Sequence, residues 1–412
     1  MPNKSDILII GGGAAGFFTA INAAEQNPEL KIIILERGKE VLTKVKVSGG
    51  GRCNVTHAKF LPKELTQNYP RGEKELLGPF HSFMTGDTIE WFSKRGVELK
   101  IEEDGRMFPA TDSSQTIIDC FISETERLGV DVLKGQSVKS IEHFDSAQHP
   151  FWKLGTLSDE FSAEKLVIAT GSNPKIWKVL ESLEHTIVPP VPSLFTFNID
   201  DKRIKDLPGL STEASVKILN ENKKTILESE GPLLITHWGM SGPAILKLSA
   251  WGARLLEPTK YHFRVQVNWL LDASKESISE KLKSLKIELA KKTVLKNAQF
   301  DLPKRLWQSL VDASDISETT TWADISKEQI NNLASQLTES RFNVHGKSTF
   351  KEEFVTAGGV KLKEVDFKTL ESKKHKNLYF AGEVLNIDAI TGGFNFQNAW
   401  TGGYLVAQSI AK

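Results

Sequence analysis

Gly11, Gly13 and Gly16 stand in the order G-x-G-x-x-G, and Glu36 follows 20 residues after the last of them. That spacing suits a dinucleotide. The first glycine permits a tight turn, the second lets a pyrophosphate approach the backbone, and the third lets a helix pack on the sheet. Ala14 and Ala15 would offer free N–H groups at the helix start to a phosphate. An acid at position 36 accepts hydrogen bonds from ribose hydroxyls and repels a 2′-phosphate. The adjoining Arg37 joins the same candidate set. This leaves NAD or FAD as the nucleotide.

Three later stretches point to FAD. KLVIATG (165–171) reads as a late strand ending in Ala169, Thr170 and Gly171. Gly382 and Glu383 form an acid-bearing turn suited to the ribityl or pyrophosphate edge. ITGGFNFQNAW (390–400) opens a final helix at Gly393, Phe394 and Asn395. A helix N-terminus there would stabilise negative charge on a reduced ring. Phe394 and Trp400 are candidates to wall that ring, or simply to pack. No second G-x-G-x-x-G with a downstream acid occurs, so NAD(P)H is expected only as a transient electron donor.

The stretch TKVKVSGGGRCN (43–54) reads as a glycine-rich loop wrapping the cofactor, with Lys44, Gly51, Arg52, Cys53 and Asn54 as candidate contacts. Val138 is a further candidate. For proton transfer, His237 and Asn395 are the catalytic candidates, with His345 behind them. Cys53 and Cys120 are the only cysteines and show no metal or C-x-x-C spacing, so Cys53 is read as packing rather than redox, and no metal is expected. No G-x-S-x-G, H-E-x-x-H or P-loop is present.

These residues need a scaffold. DILII (6–10), an Ala-rich helical stretch and KIIILE (31–36) read as one βαβ unit. Helical patterns are expected near 85–94 and 113–128, the second capped by Asp112. Residues 136–162 read as an antiparallel meander. Pro189, Pro190 and Pro192 read as a linker. Strands follow to about 259, then helices over 274–340. The chain has 412 residues with 52 basic and 52 acidic side chains, so it carries no global basic excess for coating nucleic acid or anionic membrane. No run of 18 apolar residues and no signal-peptide pattern occurs, which predicts a soluble cytoplasmic protein with no membrane partner.

The blocks IIGGGAAG, SGGGRCNVTH, IATGS, THWGMSGPAIL, VTAGGV and AGEVLN…TGGFNFQNAW together resemble the HI0933-like (YhiN-type) flavoproteins, within the glutathione-reductase-like group. The resemblance implies non-covalent FAD and an α/β fold: a Rossmann-like FAD-binding domain with an inserted β-rich domain and a helical subdomain. The expected boundaries are 1–190 plus 345–412 for the FAD-binding domain, 191–273 plus 341–344 for the β-rich domain, and 274–340 for the helical subdomain. The activity implied is an FAD-dependent oxidoreductase passing hydride through flavin N5 to or from a small molecule, an enone or steroid-like acceptor or an amine, bound between flavin domain and insertion. The alternatives are a flavin-dependent RNA-modifying enzyme, against which the balanced charge argues, and a non-catalytic flavoprotein. The chain departs from the family pattern at Asn386, usually Asp, at Ala389, usually Gly, at Trp238, and at Phe394-Asn395-Phe396.

Overall fold

The computed structural model describes residues 3–144, 151–349 and 355–412. Residues 1–2, 145–150 of the expected meander, and 350–354 lie outside the described residues. The chain forms two compact units, residues 1–191 with 351–412, and residues 192–350.

The first unit is built on a parallel sheet. Strand β1 (Asn3–Ile10) lies between β2 (Ile32–Glu36) and the late strand Glu160–Ile168. Asp131–Lys134 extends the sheet beyond β2, and Leu378–Phe380 extends it beyond the late strand. Ile7 to Ile10 are buried, as befits a strand covered on both faces. Chain order runs one way from β1 to β2 and the other way from the late strand onward, so β1 and the late strand flank the point where the topology switches. Ligands of open α/β sheets bind at the carboxyl ends of such strands. Helix α1 (Ala14–Gln26) connects β1 to β2. It stops at Asn27, held extended by Pro28. The closing helix Phe394–Ile410 lies along α1. A Cβ built on its Gly403 would sit 3.0 Å from Ala15 O and 3.1 Å from Thr19 N, so the two backbones touch.

Several local expectations change. Residues 43–54 do not form a loop throughout: helix α2 covers Thr43–Gly51, because no breaker precedes Ser48, and it kinks only where Ser48, Gly49 and Gly50 leave helical angles. The helix Ser114–Arg127 is capped by Ser113, not Asp112, whose carboxylate is committed to Arg52 and Lys100. The proline cluster is a strand, Ile187–Ser193, paired with Val355–Val360. A two-stranded pairing leaves edges where a proline need not donate. Ser140–Phe144, Phe151–Gly155 and Glu160–Ile168 pair antiparallel in turn.

The second unit is a seven-stranded antiparallel sheet with helices. In spatial order its strands are Ser340–His345, His262–Asn268, Ser211–Leu219, Thr225–Thr236, Gly239–Ser241, Thr196–Asn198 and Lys347–Ser348. Residues 345–349, expected to open the return to the first domain, stay here: His345 pairs with His262, and Lys347 with Phe197. The helices of 274–340 contribute Leu282, Trp307, Trp322 and Leu333 to the same apolar cluster as Val216, Val265 and Phe342 of the sheet. Sheet and helices therefore share one core. Among the described residues no helix is long and apolar enough to cross a membrane.

Candidate functional site

The carboxyl ends of β1 and the late strand meet at the glycine turn. A Cβ on Gly11 would lie 2.4 Å from Ala169 O, and one on Gly16 would lie 2.0 Å from Gly11 O. These two positions therefore require glycine. Gly13 differs: its φ is −100°, and nothing among the described residues lies within 4 Å of an added Cβ. It begins α1 with no side-chain cap and no acid in the first turn. The N–H groups of a helix's first turn have no intrahelical acceptor, and beside the open approach at Gly13 they suit an anion.

Glu36 braces this turn. One carboxylate oxygen accepts from Gly12 N–H at 2.8 Å and the other from Gly38 N–H at 2.7 Å. Each oxygen keeps a lone pair for a further donor. Arg37 is exposed beside it, and the segment holding buried Val138 runs alongside, with Gln136 N–H bonding Glu36 O at 2.8 Å. Thr170 and Gly171 follow Ala169 at the end of the late strand. Across from them, Gly382 would place a Cβ 3.2 Å from that of Ala15, and Glu383 is paired with Lys44 at 2.6 Å. Lys44, Gly382, Glu383 and the start of α1 thus gather at one rim.

The second half of the site is the start of the closing helix. Gly393 has φ +89°, and an added Cβ would meet Thr56 O at 2.6 Å. Asn54, in the amide orientation that satisfies its neighbours, accepts from Gly393 N–H at 3.0 Å and donates to Thr56 O at 3.1 Å and Met107 O at 3.3 Å. The glycine-rich segment is thereby joined to the closing helix. Tyr69 donates its hydroxyl proton to Phe394 O at 2.5 Å, and Thr56 bonds Gln397 at 2.6 Å. Burial pushes the Tyr69 phenol well up. The preceding segment is fixed by Arg71, which pairs with the fully buried carboxylate of Asp388.

The remaining candidates have their own settings. Arg52 turns away from the loop carbonyls, onto Glu102 at 2.6 Å and over the Phe108 ring at 3.9 Å. Gly51 is exposed with open space around it. Cys53 is buried, and desolvation lifts its thiol to about 12, so it stays protonated at neutral pH. Asn395 has both ends of its amide bonded to the Ala389 backbone, at 3.0 and 3.2 Å. Trp400 is buried, with its indole N–H on Val55 O at 2.9 Å, and packs rather than lines an opening. His237 and Trp238 form an exposed turn of the second unit, between Thr225–Thr236 and Gly239–Ser241. His345 is an exposed strand residue there. Sequence reasoning missed Tyr69, Arg71 and Asp388, which carry no local motif. It also missed His57, although that residue closes the SGGGRCNVTH block.

The family model for the HI0933-like protein Rossmann domain matches residues 5–409. A ribosomal RNA dihydrouridine synthase of Haemophilus influenzae is 28% identical over 100% of both chains. A 3-dehydro-bile acid delta(4,6)-reductase of Clostridium scindens is 26% identical, covering 98% of this chain and 99% of its own. Among solved structures, the 3-ketosteroid-delta4-(5alpha)-dehydrogenase of Rhodococcus jostii shares the fold at a TM-score of 0.54 and 13% identity, covering 100% of this chain and 97% of its own. The chain belongs to the HI0933-like family, and it is an FAD-dependent oxidoreductase with a Rossmann-type FAD-binding domain.

Proposed function

We propose that this flavoenzyme reduces a carbon–carbon double bond conjugated to a carbonyl, with a reduced nicotinamide as electron donor. The observation that carries this reading is shared chemistry in two end-to-end relatives. A uracil ring holds its C5=C6 bond beside a carbonyl, and a Δ4,6 bile acid holds its double bonds beside the C3 ketone. FAD, when bound, supplies the hydride. The chain's own geometry fits that cofactor. The uncapped first turn of α1 and the open face of Gly13 would take the pyrophosphate. Glu36 would take the ribose hydroxyls through its remaining lone pairs. Lys44 and Glu383 would border the phosphate edge. Gly393 and its neighbours would place a positive helix end near the ring, where it favours negative charge.

A small-molecule enone is the first reading of the substrate, because equal numbers of basic and acidic residues provide no net field toward RNA. A uracil in RNA is the second, favoured by the full-length match to the H. influenzae relative. The test begins with FAD-loaded protein reduced anaerobically by NADH or NADPH. Reoxidation is then followed with 2-cyclohexen-1-one, 4-androstene-3,17-dione and a uridine-containing ribosomal RNA transcript. Reoxidation by an enone alone supports the first substrate, and by the transcript alone the second. Reoxidation by oxygen only, with every alkene inert, overturns the reading.

A further inference from the structure

One titratable group at the start of the closing helix has no part in the contacts described so far. His57 ends the short strand Thr56–His57, which pairs with Arg106–Pro109. Its ring lies flat on Phe394, with centroids 4.6 Å apart and planes within 15°. Two glycines make the slot. A Cβ on Gly105 would lie 2.5 Å from the ring's Cε1, and one on Gly392 would lie 3.1 Å from its Cδ2. Nδ1 is buried without a hydrogen bond. Nε2 makes no close hydrogen bond to a described residue, although the Asp104 backbone lies near enough to act on the ring, and the side chain is only partly buried. The ring is therefore stacked on Phe394, with Gly105 close to Cε1 and both nitrogens and Gly392 beside Cδ2; of the two nitrogens, Nδ1 is the one closed off.

We propose that His57 is the acid–base residue of this site, carrying on Nε2 the proton that the substrate carbon next to the carbonyl gains on reduction. The proposal rests on the conjugated-alkene reading above. In the reductive direction the C=C π bond breaks, and the β carbon takes hydride supplied by reduced flavin. The α carbon takes H⁺ from Nε2. The Nε2–H bond breaks as the C–H bond forms, leaving a neutral imidazole that solvent reprotonates. The reverse sequence makes Nε2 the base.

The surroundings suit a ring that is neutral at rest. Burial is the largest influence and lowers the pKa from the ordinary 6.5. Lys59 and Arg106 push the same way, and Asp104, itself paired with Arg106 at 2.6 Å, opposes them through its charge and its backbone. Phe394, Gly392 and Gly105 add no charge. Negative charge arriving in the cleft raises the proton affinity again, so the ring takes up a proton when one is to be delivered. A general acid of this kind accelerates a step about 10²–10⁴-fold.

The experiment compares FAD-loaded wild type with His57→Asn, using p-chlorophenol as a mimic of the enolate. The expected result is a long-wavelength charge-transfer band in the wild type. In the variant, phenol affinity falls about tenfold or more and cyclohexenone reduction falls about 10²-fold or more. FAD affinity and the rate of flavin reduction by the nicotinamide stay unchanged. Equal phenol affinity and equal enone rates in both proteins overturn the proposal, as does a wild type that binds no phenol. A wild type that reduces no enone, yet binds phenol in a His57-dependent way, removes the alkene reading and leaves the acid–base assignment standing. Where the variant fails to hold FAD, the His57 ring is titrated by NMR in the wild type. A pKa that rises on phenol binding supports the proposal, and one that does not move overturns it.

Discussion

Helix α1 and the closing helix both begin at a glycine with no side-chain cap, yet the two starts are built differently. The start of α1 is made almost entirely of backbone. Gly13 is open, and one carboxylate, Glu36, holds the turn in shape. The start of the closing helix is made of side chains from distant parts of the chain: Asn54, Thr56, Tyr69 and, one segment earlier, the Arg71–Asp388 pair. The first is a socket that must stay empty of protein. The second is a joint that must stay full. Substitutions at the two should therefore separate ligand affinity from stability.

The largest expected effect is at the joint. Arg71→Met leaves the Asp388 carboxylate buried without its charge partner and should cost about 3–5 kcal/mol in denaturant unfolding. A midpoint within error of wild type would show that the joint does not depend on this pair. Gly393→Ala forces a left-handed residue, about 1–2 kcal/mol, and a Cβ against Thr56 O that backbone cannot yield, about 1–3 kcal/mol more. Unfolding curves of the cofactor-free protein should show their sum.

Acid should loosen the joint as well. His57 titrates below its ordinary value in the folded chain, so the unfolded chain binds the proton more readily. The stability it contributes is present above about pH 6.5 and is lost as pH falls through the lowered folded value. His185, also lowered by burial, adds in the same direction. Melting temperatures between pH 7 and 5 should fall less steeply in His57→Asn than in wild type. At the socket, Gly13→Ala should leave stability of the cofactor-free protein within about 0.5 kcal/mol, because its φ is ordinary and no atom is near. FAD titration should nevertheless show clearly weakened binding, since the methyl occupies the face offered to the pyrophosphate. Unaltered FAD affinity in that variant would sink the comparison.

The socket was legible in the sequence because its parts are close along the chain: a strand, a glycine turn, a helix and an acid at fixed offset. The late strand was legible from 165 onward, as an apolar run ending in Thr170 and Gly171, and the closing helix as the stretch that Gly392 and Gly393 open. The joint was not. Tyr69 to Phe394 spans 325 residues and Arg71 to Asp388 spans 317, and nothing local distinguishes these side chains from surface ones. Arg52 is a separate case. Its place after three glycines points to the cofactor, and the sequence gives no sign of its pairing with Glu102 and Asp112. The proline cluster misled because proline density signals a linker, whereas a paired strand with free edges admits it equally well.

The contact of Gly403 with the Ala15 carbonyl and Thr19 amide ties socket and joint together. With no side chain between them, the two helices approach more closely than ordinary interdigitated helices do, and any side chain at position 403 would have to push them apart. A substitution at Gly403 should therefore be felt at the start of α1, far along the chain from the residue changed.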